Sequence, residues 1–190
     1  MPTDALRRYL QDHLAGSVAA LQLMETLADH ERGLPLEQKL RGLHYEVTEE
    51  QERLKAILAR LEGEESSLKR AAAWLTEKLH RGRLALAERA DPAFARLEGL
   101  ESLALGLQGK LALYRALEHA APGEPRLGGY PFAALQARTL IQHAMVEQER
   151  IAAARAAFGD RDGSSGVDTG RGSSGVDSGQ GSSDTGEWGA

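Results

Sequence analysis

The sequence predicts an all-α fold: a four-helix bundle with a long crossover and a low-complexity tail. Three observations carry that reading. Apolar residues recur at alternating spacings of four and three, the period of a helix seam rather than of a strand. Proline, glycine and capping residues cut the body of the chain into four stretches of helix length. The connections between those stretches run short, long, short.

The first helix is expected from about Asp4 to Arg32, capped by Thr3 and stopped by Gly33 and Pro35. Its apolar stripe includes Leu6, Leu10, Leu14, Leu21, Met24 and Leu27, with His13 and Ser17 beside it. The second helix starts near Pro35, a good first-turn residue, and ends near Gly63. Its stripe is regular: Leu36, Leu40, Leu43, Val47, Glu50, Leu54, Ile57, Leu61. Glu50 alone interrupts the apolar series, and Glu46 shares its face one turn earlier. The loop between these helices is short, so they should be antiparallel neighbours.

The crossover, roughly Glu64 to Asp91, is expected to hold a short helix capped by Ser66 or Ser67. Leu68, Ala72, Leu75 and Leu79 would lie on one side of it, with Trp74 seating it on the bundle. Asp91-Pro92 is a strong helix start, a capping side chain followed by proline at the first position. The third helix runs to about Ala120, with Leu97, Leu100, Ala104, Leu107, Leu111 and Tyr114 as its stripe. Glu98 and Glu101 sit near its beginning, where acids also suit the helix dipole. Gly99, Gly106 and Gly109 cost helix propensity and are read as marks of close helix contact.

After a loop from Pro122 to Tyr130, the fourth helix is expected from about Pro131 to Phe158. Its stripe is read as Ala137, Leu140, Ala144, Glu147, Ile151, Ala154 and Phe158, with His143 one turn before the glutamate. Four residues occur twice, as Glu50-Gln51-Glu52-Arg53 and as Glu147-Gln148-Glu149-Arg150. Two related helix pairs folded against each other, with both glutamates facing a shared core, is the expectation this repeat supports.

From Gly159 the chain is glycine, serine and aspartate, with a nine-residue repeat in which GSSGVDTGR is followed by GSSGVDSGQ. Such composition cannot bury enough apolar surface to offset chain entropy, so a disordered tail is expected. The repeat is an imperfect version of the calcium-binding β-roll pattern, and two copies cannot stack into a roll. Trp188 is a candidate docking residue.

Net charge is -5, of which the tail carries most; the near-neutral body argues against a nucleic-acid surface. Absence of cysteine excludes disulfides, thiolate zinc sites and cysteine nucleophiles. With no basic-then-apolar start and no apolar run approaching membrane length, a cytoplasmic protein with no membrane partner is expected. There is no Ser/His/Asp arrangement, phosphate loop or dinucleotide fingerprint.

The run from His44 to Leu54 resembles the second helix of a bacterial, stress-associated branch of ferritin-like proteins. Leu97-Glu98-Gly99-Leu100-Glu101 with Gly106 is similar to that branch's third helix, and the neighbourhood of Glu147 to its fourth. The resemblance spans about residues 4 to 158. It implies a bundle core in which two helices give one glutamate each and two give Glu-x-x-His, together holding two iron or manganese ions.

This chain departs from that pattern. Arg53 stands three residues after Glu50 and Arg150 three after Glu147, where histidines are expected. Arginine cannot ligate a metal but can pair with glutamate. The reading preferred is a non-enzymatic bundle with a degenerate di-metal site, in stress response or as a scaffold, its core glutamates balanced by Arg53 and Arg150. The metal-ligand candidates are His13, Glu46, Glu50, Glu98, Glu101, His143 and Glu147, which an active di-iron or di-manganese oxidase or peroxide-consuming protein would need. A third hypothesis is a module whose amphipathic surfaces self-associate into a homo-oligomer.

Overall fold

The structure is a computed structural model, and it describes residues 2–62 and 91–159. Four long helices make up nearly all of this: α1 (Pro2–His30), α2 (Pro35–Glu62), α3 (Pro92–Ala120) and α4 (Phe132–Phe158). Two 3-10 turns, Ala121–Gly123 and Pro125–Leu127, lie between α3 and α4. Among the described residues there is no strand. The crossover helix, Trp74, the nine-residue repeat and Trp188 lie outside the described residues.

The local signals explain the boundaries. Pro2 opens α1, so Thr3 falls inside the helix instead of capping it; proline's fixed φ suits a first turn. Gly33 takes a φ of 82°, which ends the α1 path without strain, and Pro35 opens α2. Asp91 caps α3 as expected, its carboxylate accepting from the Ala93 N–H at 2.9 Å with Pro92 at the first position.

Cross-helix pairs fix the topology. Gln51 reaches Ser17 and His44 reaches Glu25, so α1 and α2 are antiparallel. Arg96 reaches Glu31 at 2.6 Å and Gly99 packs on Leu27, so α1 and α3 are antiparallel too. Phe94 meets Phe158 and Gln136 reaches Glu118, which does the same for α3 and α4. Lys39 reaches Glu149 at 2.5 Å between α2 and α4. Hence α2 and α3 point the same way, and residues 63–90 join opposite ends of the bundle.

The seam of α2 is buried at every expected position, from Leu36 through Glu50 to Leu61. Leu10, Leu14, Met24 and Leu27 of α1 and Leu97, Leu100, Ala104, Leu107 and Tyr114 of α3 are buried as expected, while Leu6, Leu21 and Leu111 are half-buried. The α4 stripe is a correction. Its buried face is Phe132, Leu135, Thr139, Gln142, Val146 and Ala153, whereas Leu140, Ile141, Ile151 and Phe158 are exposed. The helix carries apolar or small residues on most sides, so its own sequence does not select the inward face.

The core is divided in two. One cluster gathers Met24, Leu27, Leu40, Leu43, Val47, Leu100 and Leu107 with Val146. The other gathers Leu10, Leu14, Leu54, Ile57, Leu117 and Leu127 with Phe132 and Leu135. Between them lies a polar layer to which each helix contributes: Ser17, Glu50 with Gln51, Lys110, and Gln142.

Candidate functional site

The polar layer is built from seam positions. Glu50 falls between Val47 and Leu54, Lys110 between Leu107 and Tyr114, and Gln142 between Thr139 and Val146, each three residues after one seam residue and four before the next. Helix geometry therefore delivers all three inward. Glu50 is 2% exposed and Gln142 3%.

The layer's centre is a set of charge-assisted hydrogen bonds, beside which the Gln51 amide donates to Ser17 at 2.9 Å. Lys110 Nζ donates to Glu50 Oε2 and, at 2.5 Å, to Gln142 Oε1. The Gln142 amide donates to Glu46 Oε2 at 2.7 Å and to Glu50 Oε1 at 3.1 Å. Arg138, one turn before Gln142, lies 3.3 Å from Glu46, 3.6 Å from Glu50 and 3.6 Å from Glu49. Thr139 is fully buried and donates back to the Leu135 carbonyl at 2.8 Å. A buried carboxylate is tolerated only when its lone pairs and charge are met, and here two cations and one amide meet them.

Burial pulls the Lys110 ammonium below the usual lysine range, and the Glu50 charge opposes that shift. Burial likewise raises the Tyr114 phenol, with Glu50 adding to it. His13 is lowered by burial, partly offset by Asp12.

The sequence assigned Glu50 correctly to the core but gave it the wrong partner. Arg53 is exposed, and Glu50 is met instead by Lys110, Gln142 and Arg138. Glu147 is also corrected: it faces the edge of the α3–α4 pair, not the core. Arg150 does grip it, in a two-pronged contact at 2.8 and 2.6 Å, and lies 3.8 Å from Glu101. That pair holds Glu147 below the usual carboxylate range.

The remaining candidates scatter. His13 is half-buried on α1, edge-to-face with Tyr9 at 4.6 Å between ring centres. His143 lies beside Gln108, with 3.2 Å between the nitrogens, and is near enough to Glu147 to help lower its carboxyl. Glu98 is half-buried in the first turns of α3, and Glu101 is exposed. Glu46 and Glu50 share Gln142 and Arg138, and Glu101 and Glu147 share Arg150. Among the described residues no three histidine, aspartate or glutamate side chains converge in a way that could hold a metal ion.

Comparison with family models, with curated proteins and with solved structures finds no match for this chain. The residues present do not fit a pair of metal ions: the carboxylate at the centre already holds an ammonium, and no three ligating side chains converge among the described residues. Neither Lys110 nor Gln142 was a sequence-based candidate. The signal for both was present, since each holds a seam position at 3-then-4 spacing, as Glu50 does. No described helix is long and apolar enough to cross a membrane.

Proposed function

We propose that this chain is a non-enzymatic helical bundle of the ferritin-like kind, acting in stress response or as a scaffold, in which side-chain cations stand where two metal ions would be held. The observation that carries the reading is Lys110, whose ammonium joins Glu50 of α2 to Gln142 of α4 across the bundle centre. The connectivity supports it: α2 and α3 run parallel and one long segment joins them, the arrangement of bundles with a single crossover. Metal analysis of protein purified from cells supplied with iron and manganese is the test. The expected content is far below one ion per chain. Near-stoichiometric bound metal overturns the proposal in favour of di-metal oxidase or peroxide chemistry.

A second reading, self-association through α4, has its own observation. The outer face of α4 carries Leu140, Ile141, Ala144 and Ile151, with Glu147, paired to Arg150, between the last two, and Ile141 is 72% exposed. An apolar stripe whose one acid is already paired within its own helix is complementary to its own copy about a two-fold axis, so the occupant we infer is a second copy of this chain. Light scattering decides it: a dimer that Ile141→Glu converts to monomer supports the reading, and a monomer at all concentrations removes it.

A further inference from the structure

A cavity of about 230 Å³ opens between α1, α2 and α3 beside the polar layer. Val47, Leu54, Leu103, Leu107 and Leu113 form much of its wall, and Lys110, Tyr114, Gln51, Ser17, Glu50 and Asp12 are its polar lining. His13 lies at its edge, and Gly16, Gly106 and Gly109 line it from the two helices facing each other across the mouth. A Cβ at any of these three glycines would meet no atom within 4 Å. The glycines thus hold the mouth open instead of bringing the helices together. Gly99 is the contrasting case, with its missing side chain replaced by Leu27.

We propose that this cavity binds a small, neutral, mostly apolar molecule with a single oxygen, of the phenol class. Three features choose that chemistry. The volume exceeds the roughly 150 Å³ of an apolar protein cavity that takes up benzene. The wall is mainly aliphatic, which favours a hydrocarbon body. The charges at its inner end are already matched, Glu50 by Lys110 with Arg138 nearby, so a charged ligand would bring in an unbalanced charge. Lys110 supplies the polar handle at the inner end. An ammonium has three donors, and the hydrogen bonds to Glu50 and Gln142 use two. The third can reach a ligand oxygen, beside the hydroxyl of Tyr114. This inference goes beyond the metal question and does not rest on its answer.

Phenol titrated into the full chain, followed by amide and methyl NMR, tests it. The expected result is a saturable shift in the millimolar range or tighter, with phenol contacts to the methyls of Leu54, Leu107 and Leu113. Benzoate, the charged analogue, should bind at least about tenfold more weakly, for want of a further cation. Gly106→Leu, which replaces a helix-interior glycine and puts a side chain at the mouth, should weaken phenol binding while the protein stays folded. No saturation up to the solubility limit, phenol contacts confined to other methyls, or benzoate binding tighter than phenol would each overturn the proposal.

Discussion

Lys110 and Glu50, 60 residues apart in the chain, hydrogen-bond to each other inside the bundle, and each is the other's condition for being there. Glu50 is 2% exposed as a side chain and Lys110 15%. Lys110→Met should destabilise the protein by about 3 kcal/mol, because it strands a buried carboxylate. Replacing both, Glu50→Leu with Lys110→Met, should recover most of that loss, since two apolar residues of similar volume remove the desolvation cost along with the attraction. Urea unfolding of the two singles and the double measures the coupling; additive losses would mean the pair does not act as a unit.

The two arginines of the repeated motif should behave alike and weakly. Arg53→Ala should change stability by no more than about 0.5 kcal/mol, since the side chain is exposed. Arg150→Ala removes an ion pair with Glu147 that solvent screens and should leave the unfolding midpoint almost unchanged. A loss from Arg53→Ala as large as that from Lys110→Met would restore Arg53 as the partner of Glu50.

The glycines of α3 should divide by what faces them. Gly106→Ala and Gly109→Ala meet open space and should each stabilise by up to about 1 kcal/mol through helix propensity. Gly99→Ala places its Cβ 2.8 Å from Leu27 Cδ2 in a packed cluster, so it should lose about 1 kcal/mol on balance. Thermal melting of the three variants reads the signs directly.

His13 sets a dependence on acid. Burial holds its folded pKa below the ordinary 6.5, so the unfolded chain takes up the proton first as pH falls. Its contribution is therefore fully present above about 6.5 and is lost progressively as pH drops toward the lowered folded value. His13→Gln should flatten the stability profile in that window, measured by urea unfolding between pH 7 and pH 5. A profile unchanged by the substitution would show that His13 titrates alike in both states.

How far the sequence could be read depended on contrast within each helix. In α2 seven leucine-type residues and one glutamate repeat at strict spacing, and all eight are buried. In α4 alanine, leucine and isoleucine lie on nearly every side, so no face stands out. What turns α4 is its partners: Thr139 and Gln142 go inward because Glu46, Glu50 and Lys110 are there to meet Gln142. Hydrophobicity could not have chosen that face, since two of its residues are polar. The same limit hid Lys110, whose seam position was visible but whose charge argued for solvent until an acid on another helix was taken into account. The repeated glutamates looked equivalent because their neighbours match, yet one is sealed in the centre and the other lies at an edge.

The polar layer also works as a locating pin. Stacked leucines fit almost as well when one rod slides past another by two turns, so an all-aliphatic interior leaves several alignments close in energy. A slide of α3 by seven residues would lodge the ammonium among methyl groups and leave the acid of α2 without its donor. Only one alignment joins donors to acceptors on all the rods at once, and that match selects it over its slipped and swapped competitors.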